Sequence, residues 1–199
     1  MLINKIPFNL IQNHKMSNII LKKSYLFLLA FLLLGAGGCK KILNLLSFTV
    51  SDSSSFTVPG TPFIPPGVAL SIPGISVPTT AQSTYKSNST SAEYVQDVTL
   101  DQLTLTVTNP STQNFDFLKS ISIYISTDAA GSNKVLLASL ATVPKGQTSI
   151  NLNPAGNKLD LYLKSNSYTL TTTAELAQTL RQNTEVRADS RFNVHATLP

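Results

Sequence analysis

The residue in this chain best equipped for nucleophilic chemistry is Cys39, the single cysteine among 199 residues. A thiol ionises near neutral pH, and its thiolate attacks acyl and alkyl donors more readily than any hydroxyl. Cys39 follows LGAGG (34–38), and before that stands Tyr25–Leu34, ten residues without a charge, preceded by Lys22 and Lys23. A basic segment, a short apolar core and small residues are the three parts of a secretory signal. The apolar run is too short to span a bilayer, which needs about 18 residues or more. Met16 starts a leader of ordinary length as well as Met1 does. With no second cysteine, Cys39 has no intramolecular disulfide partner.

A cysteine placed directly after such a leader resembles the lipobox of bacterial lipoproteins. The resemblance implies a diacylglyceryl group on the Cys39 thiol and cleavage before it, so that the lipidated cysteine opens the mature chain. Gly37 and Gly38 fit the last two positions of the lipobox, whereas Ala36 stands where the family usually has Leu, the nearest being Leu34. Ordinary signal peptidase cutting at the same bond, with Ala36 and Gly38 as its small residues, is the alternative and leaves an unmodified thiol. The chain then divides into a signal peptide (1–38), a lipidated tether (39–46) and one domain (47–199). In the lipoprotein family, Asp directly after the cysteine tends to retain a protein at the inner membrane, and nearby acids favour surface display. Lys40 fills the first place and the first acid is Asp52, so the expectation is an outer-membrane anchor with a periplasmic domain.

Other chemistry-bearing residues are sparse. His195 is the only histidine after the leader, too few for a triad or a histidine-built metal site. It falls on the polar parity of the last segment, beside Arg187 and Arg191, which Glu185 and Asp189 offset. Asp97 and Asp101 are a carboxylate pair close in sequence, the type that hydrolyses glycosides when two acids converge, but they read as turn or surface residues. Asp128-Ala-Ala-Gly131-Ser-Asn133 has oxygen donors without the dense carboxylates of a calcium loop, and reads as a hairpin turn. Tyr85, Tyr94, Tyr124 and Tyr162 could stack on sugars if exposed, although most should cover strand surfaces, and tryptophan is absent. These residues indicate no catalytic, metal or cofactor site.

Net charge points the same way. The formal charge of +5 comes from fifteen basic and ten acidic residues. Lys5, Lys15, Lys22 and Lys23 lie in the leader, which holds no acid, so the mature chain is nearly neutral. That removes the electrostatic footprint of a nucleic-acid binder.

Alternation of apolar and Ser/Thr residues, rather than long charged helical patterns, implies an all-β domain. SFTV occurs at 47–50 and again at 55–58, so a hairpin or one long broken strand is expected there. Residues 59–78 hold six of the eleven prolines, so they should run extended on the surface or along a sheet edge, anchored by Phe63, Ile64 and Val68. Residues 79–91 read as a loop, and Thr90-Ser-Ala-Glu93 as a capping box opening a short helix. Val98 and Leu100 share one parity, while Leu103, Leu105 and Val107 share the other, so a bulge or break is expected at Asp101-Gln102. Strands are also expected around Ile121–Ile125, Val135–Val143, Thr148–Leu152 and Tyr168–Thr173. Leu159, Leu161 and Leu163 fit a strand or a short helix, and Ala174–Gln182 fits a helix. Finally, Val186, Ala188, Ser190, Phe192, Val194, Ala196 and Leu198 should face inward from one half-buried strand, with His195 outward.

Seven to nine strands with Pro- and Gly-marked turns suggest an antiparallel β-sandwich. Residues 103–126, LTLTVTNPSTQNFDFLKSISIYIS, with 136–152, LLASLATVPKGQTSINL, resemble the water-stress/late-embryogenesis β-sandwich domain. That resemblance implies an immunoglobulin-like sandwich without catalytic residues. The functional expectation is a non-catalytic lipoprotein, a binding or structural module of the cell envelope, with the membrane and an envelope protein or glycan as partners. The alternative is a surface or secreted glycan-binding accessory protein. Aligned exposed aromatics would favour the glycan reading, and an apolar cleft between sheets would favour a lipid ligand.

Overall fold

A computed structural model describes residues 45–60 and 65–197. The signal peptide, Cys39, most of the proposed tether, Phe63, Ile64 and Leu198 lie outside the described residues. The rest is all-β: eight antiparallel strands form one curled sheet around a single hydrophobic core. In chain order the strands are β1 (Leu45–Val58), β2 (Ala69–Pro78), β3 (Val95–Asn109), β4 (Leu118–Ser126), β5 (Val135–Leu140), β6 (Ser149–Pro154), β7 (Ser167–Leu176) and β8 (Thr184–Thr197). Helix α1 (Ala81–Ser87) follows β2, a 3-10 turn (Phe115–Phe117) precedes β4, and α2 (Asp160–Leu163) precedes β7.

The spatial order is β1-β8-β3-β6-β5-β4-β7-β2. Joined by hydrogen bonds, β1-β8-β3-β6 make one half and β5-β4-β7-β2 the other, with only Ala138↔Pro154 and Ser139↔Asn153 pairing across β5 and β6. This interleaving of early and late strands is jelly-roll-like. It corrects the immunoglobulin-like expectation, in which the first strand pairs with the second; here the first strand pairs with the last. Alternation dictates which face of a strand is buried, but it says nothing about which strand lies alongside.

Strict alternation holds in β8: Val186, Ala188, Ser190, Phe192, Val194 and Ala196 are buried, and the residues between them face outward. The two SFTV copies lie in one uninterrupted strand, β1, paired with β8 along all fourteen residues without a bulge. Their spacing of eight is even, so Phe48, Val50, Phe56 and Val58 share the inner face. In β3 the register shifts between Leu100 and Gln102, at the expected bulge, and Val98, Leu100, Leu103 and Leu105 all stay buried. β2 is the terminal strand on the other side, with a register shift between Ile72 and Ile75 around Pro73-Gly74. A proline-containing strand sits at an edge because its missing N–H is harmless there.

Several local expectations are corrected. Residues 81–87 are helical rather than a loop, because buried Ala81 and Tyr85 lie four apart on the inward side of α1. After Thr90 there is only a turn, closed by Tyr94 N–H on the Ser91 carbonyl at 3.1 Å. β7 continues to Leu176, so no helix starts at Ala174; Ala174 and Leu176 are both buried on the strand's inner face. Leu159 and Leu163 are buried through the single helical turn of α2, leaving Leu161 exposed. Val68 is exposed rather than an anchor.

Candidate functional site

The outer face of the β1-β8-β3-β6 half is a continuous polar surface. Register alignment builds it in cross-strand rows: Ser53–Asp189–Thr104–Asn151, Ser55–Arg187–Thr106–Ser149 and Ser51–Arg191–Gln102. A groove of about 430 Å³ runs over these rows, within the size range of small-ligand sites, about 300–1,000 Å³. Its side chains hold one another. Ser53 Oγ donates to Asp189 Oδ1 at 2.7 Å and Arg187 Nε to Asp189 Oδ2 at 2.9 Å. Arg191 Nε donates to Asp101 Oδ2 at 2.5 Å, and Thr104 Oγ1 to Asn151 Oδ1 at 2.6 Å. Partial burial works against ionisation of Asp189, but Ser53 and Arg187 outweigh it and hold the carboxyl below its usual range.

Two arginines and two aspartates make the groove neutral in balance. The sequence offsets Arg191 with its strand neighbours, whereas the structure pairs it with Asp101, the residue extruded by the β3 bulge. Asp97 stands beside another register shift in β3, with φ of 53°, and pairs with Lys158 at 2.6 Å. The Lys158 hydrogen bond and charge hold its carboxyl below the ordinary range. Asp97 and Asp101 therefore occupy separate ion pairs and do not form an acid–base couple. His195 lies half-buried on the outer face of β8, opposite Ser47 of β1 and Gln96 of β3.

Asp128 closes its own turn: Oδ1 accepts from Gly131 N–H at 2.6 Å and from Ser132 N–H at 3.2 Å, and Oδ2 accepts from the Ser132 hydroxyl. Ser132, through its hydroxyl and then its amide, holds the carboxyl below its usual range. The oxygens that could face a cation are thus engaged within the hairpin. Among the described residues, no group of three or more His, Cys, Asp or Glu converges on one point.

Exposure of the tyrosines is corrected. Tyr85 and Tyr162 are buried, with Tyr85 Oη donating to Leu163 O at 3.0 Å and Tyr162 Oη to Asn133 O at 2.7 Å. Half-buried Tyr124 lies under Lys134 Nζ, 4.9 Å from the ring centroid. These residues form no aromatic row for sugar stacking. Between the two halves, the space lined by Phe56, Leu70, Leu105, Phe117, Ile121 and Val186 amounts to about 10 Å³. It admits no lipid chain.

The sequence reading missed a polar cluster inside the core. Asp52 is 4% exposed at the middle of β1, and its Oδ1 accepts from Thr80 N–H at 2.7 Å and Thr80 Oγ1 at 3.0 Å. Its Oδ2 and the nearby Tyr168 hydroxyl have no partner among the described protein atoms. Burial, reinforced by the Asp52 charge, pushes both the Tyr168 and Tyr85 hydroxyls up. One signal was present in the sequence: Asp52 has the same parity as Phe48, Val50, Phe56 and Val58.

No family model matches the chain, and no curated protein matches it. Solved structures to which the chain shows some likeness include the decameric BFDV capsid protein, at 7% identity, covering 76% of this chain and 99% of that one, with a TM-score of 0.39. Desmodium yellow mottle tymovirus gives 10% identity, 77% and 90% coverage and a TM-score of 0.27. Turnip yellow mosaic virus gives 15%, 77% and 96%, and 0.23. Likenesses at these scores bear on no function, and the jelly-roll-like description stands on the strand order alone. Among the described residues no helix is long and apolar enough to cross a membrane.

Proposed function

We propose that this chain is a non-catalytic lipoprotein of the cell envelope, anchored to the outer membrane through Cys39, with its domain in the periplasm. We read the curled sheet as a two-layer β-sandwich that serves as a binding or structural module. The observation that carries the reading is the position of Cys39, the only cysteine, after Lys22-Lys23, an uncharged run and Gly37-Gly38. The first strand begins at Leu45, six residues after Cys39. At about 3.5 Å per residue, a tether that short keeps β1 within roughly 20 Å of the lipid. Replacing Cys39 with Ser tests the anchor. The variant should accumulate as an uncleaved precursor and lose its lipid, and normal processing with unchanged fractionation would overturn the proposal.

The polar groove favours a second reading, binding of an uncharged glycan. Hydroxyls, amides and internally paired charges suit a polyhydroxylated ligand, and they penalise both an apolar ligand and an anion. Without aromatic stacking the affinity should be weak. Titration with neutral hexasaccharides should shift NMR resonances of Thr104 and Arg187, whereas a response confined to uronate oligosaccharides would reject this reading.

A further inference from the structure

We infer that β1 is a self-complementary edge through which two copies of this chain pair as an isologous dimer. Among the described strands, β1 is terminal in the sheet order and pairs with β8 alone. The Ser51 carbonyl accepts the Thr80 hydroxyl at 3.0 Å and therefore points away from β8. By the alternation of antiparallel ladders, the main-chain groups of residues 47, 49, 51, 53, 55 and 57 turn toward the open edge. Among the described residues, Thr80 is the one partner recorded there. Natural edges are blunted by shortness, lysine, proline or a bulge. β1 has fourteen residues and none of the other three, and the protections it does carry are one inward-pointing charge, Asp52, and the Thr80 segment held against its edge.

The repeated SFTV, which the fold alone does not require, identifies the occupant. An antiparallel pair with its dyad at Ser53 sets Phe48 opposite Val58 and Val50 opposite Phe56 of the second copy. On the outer face it sets Thr49 opposite Thr57 and Ser51 opposite Ser55. Aromatic–β-branched and hydroxyl pairs are favourable cross-strand neighbours. Charge selects the same register: Asp52, the only charge on β1, then faces Ser54, whereas a dyad at residue 52 would oppose two aspartates. Phe48 is only half-buried in the single chain, and pairing would cover it. The dyad exchanges about ten main-chain hydrogen bonds and joins two polar outer faces into one eight-stranded surface. Thr80 must release Ser51 for this to happen, so it acts as the catch on the edge.

Cross-linking in membranes from cells expressing the full chain tests the register. Residues facing each other in a hydrogen-bonded antiparallel pair have Cα atoms about 5.5 Å apart, inside the disulfide span of about 4.4–6.8 Å. Ser53→Cys should become mostly covalent dimer on mild oxidation with copper phenanthroline. Ser51→Cys and Ser55→Cys should each stay monomeric, since like positions lie roughly 13 Å apart along the strands, but co-expressed they should cross-link. The parent chain shows in parallel whether Cys39 itself reacts. As an independent measure, light scattering on the detergent-extracted parent should give twice the chain mass, falling to one chain in Ser53→Pro with its circular dichroism unchanged. Thr80→Val should raise the dimer fraction severalfold at low concentration. Failure of Ser53→Cys to cross-link, equal cross-linking at all three single positions, or a monomeric parent would each overturn the inference, whatever the outcome for the Cys39 anchor.

Discussion

β1 and β2 end the sheet order on opposite sides, and their edges are built on opposite principles. β2 carries Pro73, Pro78 and a bulge, so its backbone cannot offer a regular ladder to another strand. β1 offers a regular one over fourteen residues, and its only charge, Asp52, is turned inward onto Thr80. One edge is closed by its covalent structure. The other is closed by a few hydrogen bonds from the segment that follows β2. A permanent block suits a surface that must never pair, whereas a hydrogen-bonded catch can be opened.

The largest effect should come from attacking the inner side of β1. Val50 faces Phe192 on β8, and both are 0% exposed. Val50→Pro removes a ladder donor and should cost about 3 kcal/mol or more. Phe192→Ala should cost about 3–5 kcal/mol through the cavity it leaves. Denaturant melts will read both, and a loss below about 1 kcal/mol would mean that the β1–β8 pair is not the spine of this half. Next comes the catch. Asp52→Ala removes the charged acceptor of the Thr80 amide and should cost about 1–3 kcal/mol, while Thr80→Val, which keeps that amide bonded, should cost about 0.5–1.5 kcal/mol. If Thr80→Val proves the more damaging, the amide bond is not the stronger half of the catch. The smallest effects belong to the outward positions. His195→Ala should stay within about 0.5 kcal/mol of the parent, because His195 points outward. Ser53→Pro should cost only about 0.5–1.5 kcal/mol, through the lost Ser53 Oγ–Asp189 bond, because the Ser53 amide has no partner on β8. A large loss in Ser53→Pro would show that the odd-numbered residues face β8 and would remove the open edge.

How far each feature was legible depended on whether its cause is local. The inner face of β8, the β3 bulge at Asp101 and the edge position of the proline-rich strand follow from side-chain parity or from proline's missing donor, and both are written along a few consecutive residues. Strand neighbours are not: nothing within β1 names β8, 138 positions further on at the Asp52↔Ser190 pair, as its partner. Asp52 escaped notice because a charged residue among serines reads as a turn, although its even spacing from Phe48 and Phe56 marks the inner face. The groove was legible only as separate polar residues. Arg191 meets Asp101 because a bulge aims that carboxylate, and the row from Ser53 to Asn151 exists only once four strands are in register.

The pairing of the first strand with the last has a consequence for how the molecule comes into being. β8 sits between β1 and β3, so neither long strand gains that shared neighbour until the final segment of chain is present. Contacts so remote in sequence make folding slow, since the intervening chain must be ordered before they contribute. During synthesis or passage through a translocation pore, a chain leading with its N-terminus would hold β1 unpaired for nearly its whole length. Such a chain stays threadable until its last strand arrives, and only then does this half of the sheet close.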